Sequence, residues 1–228
     1  MEIDFVLFRK SLFETEPVEA GMMLGRLETI GVRADVVADH VFDRISDTKT
    51  PQGILSVVKQ RRWEAGTFFS NIDSSCSAGA SSGSNVLVLD RIQDPGNLGT
   101  LIRTADAAGY GGIIVMKGTV DVFAPKVVRA SSGSLFRMPV LFMDRPEEAV
   151  ALLRRNHKKI LSTAPNGDKD YFRCKMDRDI GLVIGNEAGG VSAFFLKNAD
   201  ERIRIPMKTS VESLNAGVAA GIILFESV

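Results

Sequence analysis

Histidine and cysteine are nearly missing from this chain. Two histidines, His40 and His157, in 228 residues exclude a histidine-rich metal centre. The two cysteines, Cys76 and Cys174, match no zinc or redox spacing and read as reduced structural thiols. No apolar run exceeds the ten residues from Ala216 to Phe225, too few to span a bilayer. No basic stretch followed by an apolar core opens the chain, so a cytoplasmic protein with no membrane partner and no metal is expected. An excess of positive charge is also lacking, since 28 Lys and Arg face 28 Asp and Glu. That balance argues against a generic polyanion binder but leaves room for selective RNA contact through local patches. The Gly-x-x-x-x-Gly-Lys loop of phosphate binders and His-Glu-x-x-His are both absent. Gly109-Tyr110-Gly111-Gly112 follows a helix signal and precedes a strand signal, the reverse of a dinucleotide fingerprint. A Rossmann-type nucleotide enzyme is therefore disfavoured.

What is present alternates. Ile3, Phe5, Val6, Leu7 and Phe8 mark a strand within 2–9, and Val18, Met22, Leu24 and Leu27 recur at loosely helical spacing over 17–30. Strand signals follow at 32–38 and 54–58, separated by the turn formers Ser46 to Gly53. Residues 61–85 are dominated by Ser, Gly, Asn and Ala, cannot bury enough apolar surface to offset ordering, and read as a linker. Beyond it, Val86–Leu89 has the continuous apolar character of a strand buried on both faces. A helix is expected from about Leu98 to Ala108 and another over 146–157, with strands near 113–116, 159–163, 181–185 and 202–205. This βαβα order implies an α/β fold with a mainly parallel sheet covered by helices on both faces.

Three segments stand where strands run into loops. In Asp94-Pro95-Gly96-Asn97-Leu98-Gly99, Asn97 reads as a helix N-cap. Arg103 sits in a helix otherwise made mainly of small and aliphatic residues. Alone, these are a cap and a solvated cation. Gly185-Asn186-Glu187-Ala188-Gly189-Gly190 empties a buried strand into a glycine loop that sets a carboxylate among small residues. Ile205-Pro206-Met207 crosses to Ser213-Leu214-Asn215, whose Ser213 and Asn215 are hydrogen-bonding side chains where the small-residue helix 216–225 exposes its unpaired N–H groups. A lesser segment, Arg129-Ala130-Ser131-Ser132-Gly133, offers hydroxyls and a cation suited to phosphate.

Together and in this order, these segments resemble the SpoU family of RNA 2′-O-ribose methyltransferases, in the SPOUT superfamily, over residues 86–228. The resemblance implies a deep C-terminal trefoil knot, S-adenosyl-L-methionine as cofactor, rRNA or tRNA as substrate, and a homodimer whose site draws on both subunits. It implies catalytic roles for Arg103, Asn97, Glu187, Ser213 and Asn215. Cofactor contacts fall to Thr163, Gly185, Asn186, Ile205, Met207, Ser213 and Leu214, and RNA contacts to Arg103, Arg129 and Ser131. Residues 1–60 look like the later part of the family's L30e-like RNA-binding domain, with Ser46-Asp47-Thr48 and Pro51-Gln52-Gly53 as its closing signature. Family members usually carry a further segment before Met1, so a partial domain is expected. A factor that keeps this fold and binds RNA without turnover is the alternative.

Overall fold

The structure is a computed structural model, and it describes residues 2–75, 85–176, 178–208 and 214–227. Cys76, most of the serine-glycine tract and the expected site residue Ser213 lie outside the described residues. The chain divides into two compact units, Met1–Arg61 and Arg62–Val228.

The first unit runs β1 (Ile3–Arg9), α1 (Leu12–Thr15), α2 (Pro17–Thr29), β2 (Arg33–Val37), α3 (Asp39–Ile45) and β3 (Ile54–Val58). β1 is the centre of a three-stranded sheet, parallel to β2 and antiparallel to β3. Alternation along β1 turns Val6 and Phe8 to one face, where Leu12 and Ala20 close a small core with Leu24 and Leu27 beside them. Val18 and Met22, which share loosely helical spacing with Leu24 and Leu27, point to solvent.

In the second unit, α4 (Phe68–Ser75) precedes β4 (Val86–Asp90), α5 (Pro95–Ala107), β5 (Gly112–Met116), α6 (Pro125–Ala130) and β6 (Val140–Met143). Then come α7 (Pro146–Arg155), β7 (Lys159–Thr163), β8 (Lys169–Asp170), β9 (Ile180–Gly185), α8 (Ala193–Asn198), β10 (Glu201–Arg204) and α9 (Ala216–Glu226). Among the described residues its strands form one seven-stranded sheet in the order β6-β5-β4-β9-β7-β10-β8, parallel at every pairing. β4, β5 and β9 are buried along their whole length, as continuous apolar runs require. Leu87 and Leu89 join Leu101, Ile102 and Leu224 in one core, while Val86 and Val88 join Leu152, Leu153 and Phe195 in the other.

The stretch read as a linker is only partly one. Phe68, Phe69 and Ile72 of α4 are buried against Val86, Val88 and Ile114. Each such side chain contributes roughly 2–3 kcal/mol of burial, enough to order a helix among residues that are otherwise small and polar.

Candidate active site

The carboxyl ends of β4, β9, β7 and β10 stand side by side, and the loops leaving them enclose a cavity of about 660 Å³. Crevices at strand ends of parallel sheets are where such folds take ligands, and this volume is in the range of small-molecule sites. Thr163 closes β7; Gly185, Asn186 and Glu187 leave β9; Ile205 and Met207 leave β10; all six line the cavity. Leu214 and Asn215 line it from the mouth of α9, and Asn97 from the first turn of α5.

Asn97 is not the helix cap that its sequence suggests. Asp94 is, accepting the Asn97 N–H at 2.7 Å, with Pro95 at the first helical position, where a missing N–H costs nothing. The Asn97 side chain is thereby left for the site. Its Nδ2 donates to Glu187 Oε1 at 3.1 Å, and its Oδ1 accepts from Asn215 Nδ2 at 2.8 Å. Asn215 caps α9, its Oδ1 accepting the N–H groups of Gly217 at 2.9 Å and Val218 at 3.2 Å. Both amides are used at both ends, which fixes their orientation.

Glu187 also accepts the backbone N–H groups of Gln93 at 3.2 Å and Asp94 at 3.3 Å. Desolvation pushes its pKa up, but the Asn97 amide and the N–H groups of Glu187, Gln93 and Asp94 outweigh that and hold it below the ordinary carboxylate value. Glu187 is therefore a stable anion at the cavity mouth. Behind it the backbone folds so tightly that a Cβ placed on Gly185 would lie 2.1 Å from the Val191 nitrogen; only glycine fits there.

Arg103 stands apart from this group. It is six residues beyond Asn97, which at 100° per residue turns it to another side of α5. Its guanidinium is exposed, does not line the cavity, and donates to Ser132 Oγ at 3.3 Å. α5 and α6 approach closely here because residue 99 is glycine; a Cβ on Gly99 would sit 2.4 Å from the Ala130 methyl.

Ser131, expected at the RNA, is instead buried, with its hydroxyl donated to the Val128 carbonyl at 2.8 Å. The exposed hydroxyl belongs to Ser132, carried outward by a left-handed backbone at φ 48°. Arg129 is exposed in the last turn of α6. Sequence reasoning also missed Arg204, which lines the cavity while its Nε donates to Asp170 Oδ1 at 2.9 Å. A cation ending a strand beside the Ile205-Pro206 segment was the available signal.

Fold and cavity point to a class: solved structures of similar architecture include RNA methyltransferases. The AdoMet-bound rRNA methyltransferase from Sinorhizobium meliloti superposes with a TM-score of 0.81 at 29% identity, covering 99% of this chain and 79% of that one. The SpoU methyltransferase AviRb from Streptomyces viridochromogenes, in complex with AdoMet, gives 0.80 at 29% identity, covering 99% and 81%. The profile of the SpoU rRNA Methylase family matches residues 84–225. The Bacillus subtilis (strain 168) 23S rRNA (guanosine(2553)-2′-O)-methyltransferase RlmP is 34% identical over 199 residues, 87% of this chain and 73% of that protein. A Staphylococcus epidermidis protein of the TrmH family is 36% identical over 143 residues, 63% of this chain and 57% of its own length. This chain belongs to the SpoU rRNA methylase family.

Proposed function

We propose that this chain transfers a methyl group from S-adenosyl-L-methionine to a ribose 2′-hydroxyl of structured RNA, rRNA or tRNA. The observation that carries this reading is the hydrogen-bonded chain Glu187–Asn97–Asn215 across the mouth of the strand-end cavity. The donor set fits the cofactor. Ile184, Ile203, Ile205, Met207, Leu214 and Ile223 offer apolar walls to a purine ring, and the Glu187 carboxylate offers a counter-charge to a sulfonium. When bound, S-adenosyl-L-methionine supplies an electrophilic methyl group.

The protein's own task is to hold a ribose hydroxyl in place and to steady the negative charge that develops on it. Positioning is worth on the order of 7–11 kcal/mol of barrier. One well-placed donor to the oxygen adds roughly 3–4 kcal/mol. Arg103 is that donor, and its second edge grips the neighbouring phosphate. A guanidinium, whose pKa lies above about 12, serves poorly as a general base, so it acts by electrostatics. A 2′-hydroxyl acceptor selects RNA over DNA.

Because Arg103 lies outside its own chain's cavity, we assign the complete site to a homodimer in which Arg103 serves the partner's cavity. Val218, Ile222 and Phe225 support this: spaced by four and three along α9, they present an apolar stripe, with Val218 and Phe225 each 55% exposed. The close seating of Gly167 on the backbone of Ile203 supports a threaded, knotted C-terminal half. Residues 1–60 act in this reading as an L30e-like RNA-binding unit.

Calorimetry of the purified chain with S-adenosyl-L-methionine tests the reading. Saturable binding at about one molecule per chain is expected; absence of binding contradicts it.

A further inference from the structure

We propose that Asp90 and Arg91 are positioning residues that clamp the 186–192 loop and thereby hold Glu187 at the cavity mouth; only the consequence for cofactor affinity rests on the methyltransferase reading. Asp90, the last residue of β4, is 3% exposed, and a carboxylate so buried requires partners. It has two. Its Oδ2 accepts the Ser192 N–H at 2.6 Å, and its Oδ1 accepts Arg91 Nε at 3.1 Å.

Arg91 takes a left-handed backbone at φ 63°, uncommon for a residue with a long side chain. That conformation lets one residue reach the loop from both ends. Its Nη2 donates to the Gly190 carbonyl at 3.3 Å, and its own carbonyl accepts from Asn186 Nδ2 at 2.9 Å. Asn186 Oδ1 in turn accepts the N–H groups of Ala188 at 2.9 Å and Gly189 at 2.8 Å. Asn186 and Gly190 also exchange both backbone hydrogen bonds, at 3.1 and 2.8 Å.

Positions 186, 190 and 192 are thus fastened to two consecutive residues, and Glu187 sits on the tip between them. The same two residues lead directly into Gln93 and Asp94, whose N–H groups receive the Glu187 carboxylate. Both halves of the Glu187 cradle therefore share one anchor. Loosening it lets the carboxylate drift without altering any residue that touches the cavity contents.

The test uses the full chain with Arg91→Lys and Asp90→Asn. Lysine keeps a counter-charge for the buried Asp90 but lacks the forked donors that span Asp90 and Gly190. Asparagine keeps an acceptor for Ser192 but none for the Arg91 fork. Hydrogen exchange without any ligand reads the clamp itself. In Arg91→Lys, amides of 186–192 are expected to exchange about tenfold faster while those of β4 and β9 do not change. Calorimetry reads the consequence: S-adenosyl-L-methionine binds about fivefold more weakly, and adding Glu187→Gln to Arg91→Lys weakens it no further than Glu187→Gln alone.

Unchanged loop exchange overturns the clamp. Faster exchange with full affinity, or losses that simply add with those of Glu187→Gln, overturns its role at the site. A wild-type chain that binds no S-adenosyl-L-methionine overturns the methyltransferase reading instead, and the exchange result then judges the clamp alone.

Discussion

Asn97 and Arg103 share one helix but belong to two differently built regions. Around Asn97, side-chain amides, a carboxylate and backbone N–H groups satisfy one another across three segments far apart in sequence. Around Arg103 the wall, among the described residues, is one exposed hydrogen bond to Ser132. A pocket whose polar groups are mutually satisfied is preorganised within one chain. A cation with one weak tether is free to be recruited elsewhere. On the proposed reading, the contrast separates a cofactor half preorganised within one chain from an acceptor half that calls on a second.

The sharpest way to break that contrast is Arg103→Ala. If Arg103 serves only the acceptor, kcat falls about 10²–10³-fold while S-adenosyl-L-methionine affinity stays within several-fold. Steady-state kinetics beside calorimetry reads this, and a matching loss of affinity would merge the two regions. Glu187→Gln strikes the other side. It removes the anion but keeps an acceptor, so affinity for the cationic cofactor falls about tenfold.

Mixing the Arg103→Ala and Glu187→Gln chains, assayed at a cofactor concentration low enough to leave the Glu187→Gln site largely empty, asks whether the regions meet across subunits. If each site combines Arg103 of one chain with Glu187 of the other, random exchange restores about a quarter of wild-type activity, since half of the dimers carry one intact site. No recovery on mixing would place both residues in one subunit's site.

The mouth also has a pH signature. The Glu187 pKa is held below the ordinary carboxylate value, so its charge persists as pH falls through about 4.3 and is lost only beneath it. Cofactor affinity is expected to stay level from pH 7 down to that point. A decline beginning near pH 5–6 would mean the N–H cradle is not formed in solution. Smallest of all, Ser132→Ala releases the Arg103 tether and should cost kcat about two- to threefold, with thermal stability unchanged. The Tm and kcat of that single variant check it.

Much of the pocket region could be read from the chain. Val86–Leu89 declared a buried strand by its unbroken apolar run, and Glu187 and Asn215 stood out as polar groups at strand and helix ends. The helix start was misplaced by three residues because both Asp94 and Asn97 are cap formers. Pro95 was the deciding signal, since proline favours the first helical position and so makes its predecessor the cap.

The Arg103 region was less legible for physical reasons. Whether a helical cation faces a cavity depends on helix phase and on which neighbour covers the next face, and α6 covers it through the Gly99–Ala130 contact. The choice between Ser131 and Ser132 rested on one left-handed residue that nothing in a Ser-Ser pair announces. α4 was hidden because three apolar side chains decide its fate within a segment whose average composition is polar.

The central claim is tested most directly by following a labelled methyl group. Purified chain is incubated with S-adenosyl-L-methionine labelled at the methyl position and unmodified total RNA, and the RNA is then digested to nucleosides. The account predicts label in a single 2′-O-methylated nucleoside. Label on a base, or RNA that binds but stays unlabelled, would contradict it.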